Sequence, residues 1–275
     1  MLFPSNLYTN HKGQRGSKLS PRLWSRALDV GVTPDGSGPG FMFYDDFLNF
    51  GAIAAATNAS GGYAGYIDTG NTIKALATAS GGVVQFLTDG TDNDECWLTT
   101  GGNSGVLGAI SDTAGSDKLT IFEARVRFGQ IGNTYNAFVG CSEEGLAAAD
   151  TVTDAGAMAD KDFIGFAVLE ADGDALKFVY RKAGGAMQTV FTYGTALAAS
   201  TWYNLGFVYD PVAPASQKIK VFINNEEQNT YVTAANIAAA TFPDGEELAL
   251  LAGIKNGGAA ASSLDVDLWA FYQAG

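Results

Sequence analysis

Between Thr201 and Glu227 the chain reads TWYNLGFVYDPVAPASQKIKVFINNEE, two alternating runs around a proline-bearing loop. In the first run Tyr203, Leu205, Phe207 and Tyr209 share one face, because successive strand side chains point to opposite sides. Ile219, Val221 and Ile223 repeat the pattern in the second run, with Lys218 and Lys220 on the other face. Pro211, Pro214 and Ser216 mark the intervening loop, and Asn224-Asn225 marks a turn. The spacing predicts a long antiparallel hairpin with one face committed to a core.

The same alternation recurs along the chain. It predicts strands at Met42–Phe47, Tyr63–Ile67, Val83–Leu87, Cys96–Thr100, Leu119–Phe128, Ala137–Cys141, Phe163–Leu169 and Leu176–Arg181. Further strands are predicted at Gln188–Tyr193, Trp202–Tyr209, Ile219–Ile223, Leu248–Ile254 and Leu264–Tyr272. In Leu119–Phe128 the core face is Phe122, Ala124, Val126 and Phe128, with Glu123, Arg125 and Arg127 outward. In Leu264–Tyr272 Asp265 and Asp267 oppose Leu264, Val266 and Leu268. So many short strands with Gly, Asp and Asn between them imply an all-β, two-sheet antiparallel sandwich over residues 41–275. Hydrophobic residues make up 47% and charged ones 16%, enough to build a large core and too apolar for disorder. The Ala-rich stretches Glu143–Asp160 and Thr233–Ala240 are read as short helices or long loops.

Residues 1–40 carry no strand period and read as an extended N-terminal arm. One short helix is predicted there, with Ser20 as N-cap, Pro21 at the first helical position and Gly31 beyond the end. Pro34–Gly40 (PDGSGPG) reads as a linker. The arm holds five basic residues against two acidic ones, leaving 11 basic and 27 acidic residues in the body. It is expected to bind a partner through Leu2, Phe3, Leu7, Tyr8, Leu23 and Trp24, residue types that dominate interface hot spots. Arg15, Lys18, Arg22 and Arg26 suit an acidic partner surface.

An acidic body argues against nucleic-acid binding, which rests on neutralising phosphates. No stretch approaches the ~18 apolar residues of a membrane-spanning helix, and MLFPSNLYTNHKG lacks the pattern of a signal peptide. Cys96 and Cys141 are read as buried thiols, too few for a disulfide framework. A single histidine, His11 in the arm, excludes a Ser-His-Asp triad within the body. Carboxylate-bearing loops at Thr91–Glu95 and Asp172–Asp174 are the weak candidates for calcium; no cofactor or metal is expected.

Several segments carry a resemblance: FYDDFLNFGA (43–52), YIDTGNTIKALAT (66–78), TDNDECWLTTGGN (91–103), DKDFIGFAVLEADGD (160–174) and TFPDGEELALLAGIKNG (241–257). Together with the hairpin they resemble the laminin-G-like branch of the concanavalin A-like jelly rolls, and more closely the virion structural proteins of tailed bacteriophages that contain this domain. The resemblance implies a jelly-roll sandwich and a capsid decoration (cement) protein on the capsid exterior, assembled in the bacterial cytoplasm. Its implied partners are the major capsid protein and sister copies in a homotrimer. A tail or fibre component, or a carbohydrate-binding module for host adsorption, is the alternative. Glycoside hydrolases of this fold carry Glu-x-Asp-x-x-Glu on one strand. The nearest runs here, Glu170-Ala-Asp172-Gly-Asp174 and Asp265-Val-Asp267, depart from it, so a hairpin turn and solvated strand-face acids are expected instead of an active site. Weak glycan binding would require exposed aromatics, for which Trp97, Tyr135 and Trp269 are candidates, although core packing is the expectation for each.

Overall fold

The computed structural model describes residues 19–29, 40–48, 50–53, 58–60, 62–76, 82–100, 107–132, 134–143, 150–173 and 175–275; the side chains of 26–29 and 58–60 fall outside that set. The alternating runs become strands: β1 (Gly40–Asp45), β2 (Asn58–Ser60), β3 (Tyr63–Ile67), β4 (Thr72–Ala75), β5 (Val84–Leu87), β6 (Glu95–Thr100), β7 (Thr120–Phe128) and β8 (Tyr135–Ser142). They continue with β9 (Phe163–Val168), β10 (Lys177–Arg181), β11 (Gln188–Thr192), β12 (Trp202–Tyr209), β13 (Ile219–Ile223), β14 (Glu226–Val232), β15 (Ala249–Asn256) and β16 (Ser263–Ala274). Helix α1 covers Pro21–Asp29, and α2 is a single turn at Ala234–Ile237. Thr233 caps α2 with a reciprocal bond to Asn236.

All pairs are antiparallel and form two sheets. One runs β14-β13-β12-β7-β16-β5-β4, with β1 beside the far half of β16; the other runs β11-β10-β9-β8-β15-β6-β3-β2. We call them the first and second sheet. The opening hairpin is β12–β13, in register from Leu205↔Ile223 to Tyr209↔Ile219. Asn224 and Asn225 both adopt positive φ (52° and 65°), as a two-residue turn between β13 and β14 requires.

The inward faces meet in one apolar core. Phe122 stacks on Phe207 at 5.3 Å between ring centroids, and Phe207 meets Phe178 of the second sheet at 5.5 Å. Cys96 and Cys141 are free thiols in that core. The expected strands are thus present with shifted ends. Three were missed: β2 and β4 are short, and β14 (EEQNTYV) is a polar edge strand with little alternation to read.

Each sheet also buries an apolar cluster on its outer face, which the sequence did not announce. Over the first sheet α1 lays Leu19, Leu23 and Trp24 against Ile121, Val208, Phe222, Leu268, Ala270 and Tyr272. Over the second sheet, Val152 and Met158 of segment 150–162 cover Trp97, Phe138, Phe163, Val179 and Leu251. Of the two readings of this Ala-rich stretch, short helix or long loop, the described part takes the second, a loop closed by a Val152↔Met158 bridge.

Candidate functional site

The arm helix corrects one expectation. Leu23 and Trp24 are buried at 1% and 2% exposure, so they dock on the chain's own sheet and are not offered to a partner. Glu123 explains the docking. This outward residue of β7 is itself fully buried and sits at the N-terminus of α1. Its carboxylate accepts from the Ser20 backbone N–H (2.9 and 3.1 Å), the Ser20 hydroxyl, the Trp24 indole N–H (2.6 Å) and the Asn204 amide (3.4 Å). Ser20 therefore occupies the cap position but spends its hydroxyl on Glu123. Burial pushes the Glu123 pKa up to about 7, against the pull of these donors. Gly206 of β12 completes the fit, since a Cβ there would lie 2.2 Å from Leu23 Cδ1 and 2.7 Å from the Phe122 carbonyl. Arg22 is exposed as expected. Leu2, Phe3, Leu7, Tyr8, Arg15, Lys18 and the Arg26 side chain lie outside the described residues, as do His11 and Pro34.

Beside α1 the outer face of the first sheet is polar. Strand register aligns Trp202, Arg127, Asp265, Gln85 and Lys74 in one row across five strands. Both Arg125 and Arg127 stack on the Trp202 ring, at 4.5 and 4.9 Å from its centroid. Arg127 donates to Asp265 at 2.8 Å, and Arg125 pairs with Asp267. The two aspartates were expected to be solvated; they are 3% and 4% exposed, held in these pairs.

The second sheet's outer face carries a charge cluster in which Lys255 and Glu95 are buried and Asp150 and Asp154 are exposed. Lys255 of β15 lies 2.7 Å from Asp154, 3.5 Å from Asp150 and 4.0 Å from Glu95. Glu95 accepts the Trp97 indole N–H at 2.7 Å. Burial pushes Glu95 up to about 8, opposed by that bond and by Lys255. Burial works against the Lys255 charge too, but Asp154, Glu95 and Asp150 together hold its pKa above the ordinary lysine value. At the opposite end Arg181 bonds Asp160 at 2.8 Å. Segment 150–162 is thus latched to the sheet by two cations, and the carboxylate beneath it is sealed from water.

The remaining candidates resolve plainly. Glu170–Asp172 forms a 3-10 turn between β9 and β10, with Lys177 paired to Asp172 at 2.6 Å, so this acidic run is the expected hairpin connection. Asp174 lies outside the described residues. Trp97, Tyr135 and Trp269 are all fully buried. Among the described residues no group of three or more His, Cys, Asp or Glu is placed to hold a metal ion, and no helix is long and apolar enough to cross a membrane.

One open cavity of about 220 Å³ lies between α1 and strands β12–β14. Leu23, Val208 and Phe222 form its apolar floor; Arg22, Ser25, Lys220, Asp210 and Glu227 line its rim. The sequence could not disclose it, because α1 is one of its walls and the helix was not expected to touch the sheet.

No known family and no curated protein matches this chain. Solved structures do share its fold. A protein of unknown function from Shewanella oneidensis MR-1 superposes with a TM-score of 0.57 at 16% identity, covering 91% of this chain and 92% of that one. Peanut lectin gives 0.54 at 11%, covering 85% and 98%. SCLam, a non-specific endo-beta-1,3(4)-glucanase of family GH16, gives 0.54 at 9%, covering 86% and 92%. The fold is therefore the concanavalin A-like jelly-roll sandwich, shared by lectins and glucanases; at these identities the likeness is one of architecture alone.

Proposed function

We propose that the chain is a structural protein of a tailed-bacteriophage virion, a capsid decoration module without catalytic activity. The observation that carries this reading is the double coverage of the sandwich. Helix α1 fills much of one outer face, and segment 150–162 seals the apolar part of the other, with Glu95 and Lys255 locked beneath it. A rigid, acidic module closed by its own chain suits a load-bearing surface better than turnover. The five segments resembling phage virion proteins are what supports a virion role.

In this reading residues 1–18 are the anchor to the capsid or to sister copies, and a trimer over three-fold sites is the expected assembly. Residues 19–29 serve instead as the mount, fixing where that anchor starts on the first sheet. The test is re-addition of purified protein to particles lacking it. Full-length protein should saturate them, and a form lacking residues 1–18 should not bind. Full occupancy by the truncated form would move the anchor to the body. Release of reducing ends from β-glucans or bacterial polysaccharides by the pure protein would overturn the non-catalytic assignment.

A further inference from the structure

We propose that the cavity between α1 and β12–β14 is a binding site for a neutral, polyhydroxylated ring of monosaccharide size. Its volume of about 220 Å³ lies below the ~300–1,000 Å³ typical of sites for larger organic ligands, so one small ring fills it. The lining sets the chemistry. Arg22 and Lys220 donate, Asp210 and Glu227 accept, and Ser25 can do either. An anion would face two carboxylates and a cation would face two basic groups. A hydroxyl both donates and accepts, so a ring bearing several of them meets both sets without leaving a charge unpaired. Leu23, Val208 and Phe222 back the cavity but are only 1%, 5% and 5% exposed, so the contacts that select the ring come from the polar rim.

The rim is also partly preorganised. Lys220 and Glu227 pair at 3.5 Å, and Glu227 accepts the Tyr231 hydroxyl at 3.1 Å, which fixes acceptor and donor side by side. Opposite them α1 is tied to the β13–β14 turn through the Arg22 backbone N–H, which donates to Asn225 Oδ1 at 2.9 Å. The site therefore exists only while the arm helix is docked. It is separate from Trp97, Tyr135 and Trp269, the aromatics a sequence-based search for glycan contacts would select. It also stands independently of where in a virion the protein sits.

The experiment is saturation-transfer NMR on the full chain with methyl glycosides of glucose, galactose, mannose and N-acetylglucosamine. Acetate and methylammonium serve as charged controls of similar bulk to one rim contact. At least one glycoside should bind, with affinity falling at least tenfold in Lys220→Met and in Glu227→Gln while the melting temperature holds. Ser25→Leu, at an exposed helix position, should block the cavity without touching the core and guards against misfolding of the strand variants. The proposal is overturned if no glycoside binds, if a charged control binds better, or if binding survives Ser25→Leu and both rim substitutions.

Discussion

Glu123 is the residue on which arm and sandwich meet, and its titration gives a pH prediction with a definite sign. An unfolded glutamate titrates near 4.3, whereas burial raises Glu123 to about 7 in the folded chain. A carboxyl raised on folding contributes stability that is present below the unfolded value and is lost as pH rises through the folded one. Stability should therefore decline between about pH 4 and 7, by roughly 3–4 kcal/mol from this group at most. Glu95, raised to about 8, acts in the same direction. Denaturant melts across that range should flatten partly in Glu123→Gln and further in the Glu95→Gln, Glu123→Gln double variant; an unchanged slope would contradict the assignment. A neighbouring test concerns the core. Phe207 bridges the two sheets, and Phe207→Ala should cost about 3–5 kcal/mol in the same melts. That residue was legible from alternation alone. Glu123 was not, because a charged residue on an outward strand position reads as solvated until something is seen to cover it.

At the scale of elements, the strands were readable and their covers were not. Period-two alternation at β7, β12 and β13 reports which face is buried, and the Asn224-Asn225 turn reports where the chain reverses. The helix α1 was also legible, since Ser20, Pro21 and the Leu23–Trp24 pair mark it locally. What it packs against is a long-range fact: Leu23 meets Gly206, nearly two hundred residues away, and no local pattern encodes that meeting. The consequence is a split between two truncations. Removing residues 1–18 should leave the melting temperature within a degree or two, whereas removing 1–29 should cost roughly 3 kcal/mol or more by uncovering Ile121, Val208 and Phe222. Equal stability of the two forms would mean that α1 does not hold the sheet. Segment 150–162 makes a parallel case. Its Ala-rich composition left short helix and long loop open; Val152 and Met158 pin it to the sheet as a loop, and Lys255 latches Asp154. In Lys255→Met, hydrogen exchange should quicken through 150–162 while β12 and β13 stay protected; unchanged protection of the segment would show that the latch is idle.

For the whole molecule, composition and alternation together specify a two-sheet sandwich, and the structure adds an outer cover on each side. The concanavalin A-like architecture hosts lectins and glucanases alike, so fold alone does not choose among their functions. The proposed virion role rests on how the outer faces are filled and on the segments that resemble phage virion proteins. The measurement that tests the proposed virion role most directly is the copy number of this chain in purified tailed-phage particles whose genome carries its gene, by quantitative mass spectrometry against the major capsid protein. A decoration protein placed by capsid symmetry should be present on the order of hundreds of copies, in a fixed ratio to the capsid subunit. A handful of copies would assign it to the tail or a fibre, and its absence from the particle would contradict the account.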